Sequence, residues 1–310
     1  MIRYVIKRIL MLIPLVFCIT FVVYGLMSLA PGDPATIMLP SNAPQEQKDA
    51  LNHELGYDRP FLVKYVDYVG KMIFKLDFGT SYRTSQPIIN EIKVRLPISI
   101  RLAFFGLSLA AVIGIPLGVL SAVKQYSLLD TIPSVIALTL SAVPSFWLGM
   151  MMIYILAYKL GWLPSFGMGS IKHWILPTLT IAVVYAAEIL RYTRSSMLET
   201  IRADYVRTAR AKGVAERKVI WKHAMKNGLL PVITLLGSSF GAQIGGAIVT
   251  ENLYNLPGLG TLTLISINMR DTPTVVATSV IFAILYNIIL ILVDLMYAFI
   301  DPRIKAKYSR

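Results

Sequence analysis

Few side chains in this 310-residue sequence are placed to do chemistry. Cys18 is the single cysteine and lies inside an apolar run, so there is no disulfide framework. His53, His173 and His223 stand apart from any neighbouring ligand cluster, which leaves no pattern for a bound metal. There is no H-E-x-x-H helix and no pair of aspartates within the apolar segments, which argues against an intramembrane protease or a lipid transferase. A G-x-x-x-x-G-K-[ST] phosphate loop is also missing, and with it that means of binding ATP. What remains is two acids in apolar surroundings, Glu188 and Asp294, and one basic stretch at residues 204–228, DYVRTARAKGVAERKVIWKHAMKNG. Intramembrane acids are functional candidates by default. Both lie near the inner boundary, however, and structural pairing with basic cytoplasmic segments is the expectation for each.

The elements that hold these residues are membrane spans. The chain is 55% hydrophobic and 15% charged, with a mean hydropathy of +0.63. That is too apolar for an ordinary soluble domain. Runs near the length a bilayer-crossing helix needs occur at Ile9–Leu29, Leu102–Val123, Ile132–Leu156, Ile175–Leu190, Leu229–Val249 and Val275–Phe299, the fourth short enough to borrow from its flanks. The expected fold is an all-α membrane protein of six transmembrane helices. Residues 1–30 form the N-terminal helix, 31–100 an external segment, and 101–310 a five-helix domain with a cytoplasmic loop at 191–228. Arg3, Lys7 and Arg8 ahead of an apolar run also fit a signal peptide. The run is longer than a usual signal core and Pro31 follows Ser28-Leu29-Ala30, so the reading is a retained helix.

The net charge of +13 follows the same topology. With the N-terminus cytoplasmic, the inside segments hold Arg3, Lys7, Arg8, Lys124, ten basic residues from Arg191 to Lys226, and Arg303, Lys305, Lys307 and Arg310. Only Asp130, Glu199, Asp204, Glu216 and Asp301 oppose them, and the two short outer loops carry Lys159, Lys172 and Arg270. This positive-inside bias puts both termini in the cytoplasm. The basicity therefore reports orientation beside membrane lipid, and no nucleic-acid partner is implied.

The external segment balances eight basic against eight acidic residues. Pro44 is placed to open a helix through Leu51 and Leu55 to a stop at Gly56. Beyond Pro60, Phe61, Tyr65, Val69, Met72, Ile73 and Leu76 recur at helical spacing, and DFGTSYRTSQP then reads as turn-rich. The segment either caps the bundle or docks an external partner, and both roles are open. Gly237, Gly241 and Gly245, like Gly114 and Gly118, have the spacing that brings helices close. Ser238, Ser239 and Gln243 share that fifth run and are candidates for a translocation path. Pro116 and Pro144 mark bends. In TENLYNLPGLGT, residues 250–261, the turn around Pro257 and Gly258 gives a rigid apolar tip beside Glu251. It is either a plug that packs on neighbouring spans or an external gate with Glu251 at the mouth.

The basic insert has more order than orientation alone requires. Asp204 suits a helix start, YVRTARAK continues it with small Thr208, Ala209 and Ala211, and Gly213 provides a stop. A second run follows with Val214, Val219, Ile220, Ala224 and Met225. A short exposed helix rich in small residues fits a groove on another protein.

DYVRTARAKG followed by HAMKNGLLPV resembles the cytoplasmic coupling loop of ABC-importer permeases of the dipeptide/oligopeptide/nickel family. Further pieces occur in order: APGDPA, DFGTSYRTSQPIINEIKVRLPISI, IPLGVLSA, ENLYNLPGLGTL and NIILILVDLMYAFIDPR. The resemblance implies a multi-pass permease of a bacterial or archaeal cytoplasmic membrane. Its implied partners are a homologous second permease, two cytoplasmic ATPase subunits that carry the ATP and magnesium, and an external substrate-binding protein. This chain is then no enzyme and binds no cofactor of its own. The coupling residues it implies are Asp204, Tyr205, Arg207, Thr208, Ala209, Ala211 and Gly213. In permeases at large the loop reads Glu-Ala-Ala, three residues, Gly. Aligned on Gly213, this chain has Arg207, Thr208 and Ala209, so a salt bridge from that Glu does not carry over. The RTARAKG form resembles the peptide branch. Peptides are the implied cargo, with nickel chelates, glutathione and oligosaccharides carried by relatives. A stand-alone secondary transporter would need mid-membrane coupling groups, and the acids here sit toward one edge.

Overall fold

The computed structural model describes residues 2–29 and 32–300, apart from the side chains of 2–4, 246 and 297–300. Ala30, Pro31 and the charged C-terminal stretch from Asp301 to Arg310 fall outside it. Among the described residues every regular element is a helix, with one isolated bridge between Thr80 and Pro87. Among those residues four helices are long and apolar enough to cross a membrane, or up to six if each of two bent pairs counts as one span.

Helix α1 (Ile2–Leu29) leads into a cap of three helices, α2 (Pro34–Met38), α3 (Gln45–Glu54) and α4 (Phe61–Lys75). Pro44 and Pro60 immediately precede α3 and α4, and Gly56 takes the left-handed backbone that follows a helix end. Helix α4 buries Tyr65, Val69 and Met72, while Leu76 turns left-handed and outward. The Tyr65 hydroxyl donates to the Phe17 carbonyl at 3.0 Å and so ties the cap to α1.

Helix α5 (Ile88–Val123) starts well before the apolar run at Leu102, so the boundary drawn at residue 100 falls within one continuous helix. The turn before it is anchored by buried Asp271, which accepts hydrogen bonds from the Ser81 hydroxyl, the Tyr82 amide and the Thr274 hydroxyl.

Helix α6 (Leu128–Ala142) and helix α7 (Ser145–Met152), the latter continued by π-helical turns at Ile153–Lys159, meet at 102°. The expected third span is therefore broken. Val143 precedes Pro144 and is extended (φ −83°, ψ 126°), as proline demands of its predecessor.

Helix α8 (Lys172–Ile201) is the long partner of α5. Gly106, Ala110, Gly114 and Gly118 form one face of α5 at four-residue spacing. A Cβ on Gly106 would lie 2.6 Å from Ile181, one on Gly114 2.8 Å from the Ala186 carbonyl, and one on Gly118 2.7 Å from the Leu190 carbonyl. The missing side chains are what let the backbones meet.

The chain continues through α9 (Asp204–Ala211), α10 (Glu216–Lys218), π-helical turns at Val219–Ala224 and α11 (Met225–Gly228). It then turns by 49° into α12 (Leu230–Gly246). Gly237, Gly241 and Gly245 of α12 face Val293, Tyr286 and Phe282 of α15 (Thr272–Ile300), so this stripe packs helices together. Short α13 (Ile248–Leu253) and α14 (Leu259–Asn268) lie between them.

Candidate functional site: a docking helix and a sealed loop

At one end of the bundle, α9 divides its residues between two faces. Val206 is 0% exposed and Ala209 9%, packed on Val119 and Ala122 of α5, Met197 of α8, and Val219, Ile220 and Ala224 of the following turns. Asp204, Tyr205, Arg207, Thr208 and Ala211 face outward, and the Arg207 side chain is 70% exposed. Of the seven coupling residues named from sequence, Ala209 is therefore an internal contact and not part of the free face. Asp204 is the first residue of α9 and favours its start by charge alone, since the structure shows no side-chain cap bond there. Gly213 has φ +75° and open space where a Cβ would stand. It ends the helix through its backbone.

A clamp that sequence reasoning missed holds α9 in place. Arg210 bonds the Glu216 carboxylate through Nε at 3.0 Å and Nη2 at 2.8 Å, and donates from Nη1 to the Ile201 carbonyl at 3.2 Å. One guanidinium thus joins the end of α8, the end of α9 and the start of α10. A six-residue separation that spans a glycine gives no helical signal, which is why the pair was not read.

The other end of the bundle carries the loop of residues 250–261. Glu251 is 0% exposed. Its Oε1 accepts from the Ser99 hydroxyl at 2.6 Å and its Oε2 from the Thr261 amide at 2.9 Å, while Ser99 Oγ accepts from the Leu259 amide at 2.9 Å. Gly258 lies so close that a Cβ there would fall 2.2 Å from the Glu251 carboxyl carbon. Pro257 is half-buried in the same turn. Tyr254 closes the far side, its hydroxyl 2.7 Å from that of Thr180. Glu251 therefore meets no mouth in this conformation, and its carboxylate is taken up by α5 and the start of α14.

Two of the three path candidates on α12 are buried in protein and the third is half-buried. Gln243 is buried and accepts from the Tyr185 hydroxyl at 3.0 Å, Ser239 is buried, and Ser238 donates to Leu235 O of its own helix. Asp294 pairs with Arg8 at 3.1 Å, whereas Glu188 has no hydrogen bond or ion pair among the described residues. The pairing expected for Glu188 is therefore not present among the described residues, which exclude the basic C-terminal stretch.

Two family models match the sequence. One is the binding-protein-dependent transport system inner membrane component, over residues 114–306, and the other is the N-terminal part of such a component, over residues 1–103. The chain belongs to this family. The transport component is 39% identical to a dipeptide transport system permease protein of Alkalihalophilus pseudofirmus, over 98% of this chain and all of that one. It is 40% identical to an oligopeptide transport system permease protein of Bacillus subtilis, over 98% and 100%. A glutathione transport system permease protein of Escherichia coli is 37% identical over 99% and 100%. A methionine ABC transporter solved in inward-facing conformations shares the fold of the transport component. Its TM-score is 0.57 at 18% identity, covering 70% of this chain and 100% of that one. A membrane component of a transport system is a conduit and not a catalytic subunit.

Proposed function

We propose that this component is a permease subunit of an ATP-driven importer of di- or oligopeptides. In this reading it works with a homologous second permease, two cytoplasmic ATPase subunits and an external binding protein. The observation that carries the mechanism is the two-faced α9, anchored inward by Val206 and Ala209 and presenting Asp204, Tyr205, Arg207, Thr208 and Ala211 outward. An ATPase that closes on ATP can shift the permease only by binding one of its conformations better than the other, and the exposed face of α9 is where it would grip. The cargo class rests on the near-full-length relatives named for dipeptides and oligopeptides. Glutathione, named for a third, is itself a small peptide.

The test is purification of the assembled system, in which the ATPase subunits come down with this chain. Gly213→Val should leave insertion and assembly intact, since a Cβ there meets nothing within 4 Å. The substitution strains a φ of +75° by about 1–2 kcal/mol. Binding-protein-stimulated ATPase activity and uptake should fall by about tenfold, and Gly213→Asn, which tolerates that backbone, should restore them. Normal stimulation in the valine variant would remove α9 from the coupling route.

The same reading places the cap of α2–α4 outside and α9 inside. In a Cys18→Ser background, single cysteines at Lys48 and Lys172 should react with an impermeant thiol reagent in intact cells, and cysteines at Lys218 and Lys307 should not. Labelling at Lys218 from outside would overturn the orientation.

A further inference from the structure

Helix α8 carries a polar face that begins at the inner end of its apolar stretch and continues past it. Glu188, Arg191, Tyr192 and Ser195 recur at the three-, four- and seven-residue spacing that aligns side chains on one side of a helix. All four line one cavity of about 600 Å³, bounded across from them by Ser134 of α6. At 1.5 Å per residue, Glu188 lies about 24 Å from the Lys172 end, within the roughly 30 Å of hydrocarbon a span must cross.

The cavity has one committed cation and one available one. Arg194 is engaged with both oxygens of buried Asp130, which also accepts from the Tyr126 amide and the Ser134 hydroxyl. That pair locks α6 to α8. Arg191, by contrast, is exposed and makes a single long contact, Nη1 to Ser141 Oγ at 3.5 Å. Glu188 is half-buried with no bonding partner among the described residues. A charged acid facing lipid costs about 2.5–3.5 kcal/mol at the centre of a span and is still disfavoured toward its edge. Arg191 can stretch toward the headgroups, as long basic side chains do, but Glu188 is shorter and lies a turn deeper. The face therefore looks onto water or onto another polar surface.

We propose that this face lines the water-filled route of the cargo, where Glu188 and Arg191 together hold a zwitterionic solute. Glu188 accepts from its ammonium group and Arg191 donates to its carboxylate. The two Cβ atoms are about 5–6 Å apart, as neighbours on a helix face are, and an extended dipeptide spans about 7 Å. Side chains that splay outward therefore bracket both termini of one molecule. With neither group held in an ion pair among the described residues, the hold is loose enough to release what it receives. This inference rests on the importer reading and adds to it the part of the route that meets the peptide termini.

The experiment uses the full complex in proteoliposomes, carrying Cys18→Ser. Glu188→Cys and Arg191→Cys should react with a charged, water-soluble thiol reagent supplied from the α9 side, and a transported dipeptide at saturation should slow the reaction several-fold during turnover. Glu188→Gln and Arg191→Gln should each lower dipeptide uptake per complex about tenfold while binding-protein-stimulated ATPase activity persists. Absence of reaction, reaction that the dipeptide does not slow, or uptake within twofold of the parent in both glutamine variants would overturn the proposal. So would failure of the glutamine variants to assemble, which would make this face a contact with the second permease. Uptake and co-purification by the parent complex are read on the same preparation. If those fail, the importer reading falls independently of Glu188 and Arg191.

Discussion

Gly118→Val should abolish most recovery of the folded chain, and Gly114→Val should do nearly the same. A Cβ at Gly118 would stand 2.6 Å from the Thr193 Cβ and 2.7 Å from the Leu190 carbonyl oxygen, where carbon contacts settle at about 3.5–4.0 Å. One of these neighbours is backbone, which cannot rotate away. The helices must therefore separate by about 1 Å, and dispersion contacts along the whole α5–α8 seam weaken with them. Overpacking of this kind costs about 3 kcal/mol or more, a large share of a marginal total. The expected reading is a fall of about 10 °C in the unfolding midpoint of the purified complex, with a matching loss of yield. Gly70→Val on α4 is the control, since its Cβ would meet nothing within 4 Å and it should unfold with the parent. Equal midpoints for the Gly118 and Gly70 variants would refute close α5–α8 packing.

The second large effect is expected at Glu251. Glu251→Ala removes the acceptor for the Thr261 amide and the Ser99 hydroxyl at a fully buried position and leaves a void. The loss should be about 3–5 kcal/mol. Glu251→Gln should be mild, because an amide oxygen can accept from Thr261 while the amide nitrogen donates to Ser99 Oγ. Burial pushes the Glu251 carboxyl above its ordinary range, outweighing the Ser99 hydroxyl and the Thr261 and Gly260 amides, which favour the charged form. A folded-state value above the unfolded one makes its contribution complete in acid, and the contribution is lost as pH rises through the raised value. Stability of the parent should accordingly fall more than that of Glu251→Gln, which stays neutral, as pH rises above the ordinary carboxyl range. Thermal unfolding and uptake per assembled complex on one preparation decide the role. A stable Glu251→Gln complex that no longer takes up cargo would make Glu251 a gate rather than a brace.

What could be read from sequence here was local, and what could not was the partner across space. The glycines of α5 and α12 announced close packing by their spacing, but Ala186 and Val293 as their neighbours depend on which helices meet. Pro144 announced a bend, yet its 102° follows from Val143 and the helices on either side. The start and stop of α9 were legible at Asp204 and Gly213. Its inward face was not, because an eight-residue helix shows too few turns for a pattern to emerge. The sequence leaves the loop of Glu251 open between a plug and a gate, because Ser99, which brings the carboxyl inside, lies 152 residues earlier in the chain. The basic residues around Glu188 predict a pairing, but Arg194 is taken up by Asp130 and Arg191 reaches only Ser141, at 3.5 Å.

The unbroken length of α8 gives the clamp at Arg210 a mechanical meaning. Thirty residues make a rod of about 45 Å. Its contacts with the α5 glycines fall between Ile181 and Thr193, astride the midpoint, where a rod of this length would pivot. Arg210 rivets α9 to one end of this rod at the Ile201 carbonyl. A push of about 2 Å on α9, the scale of helix shifts in switching proteins, then returns as a similar swing of opposite sense at the Lys172 end. The 102° break between α6 and α7 would leave the neighbouring segment free to yield to such a swing.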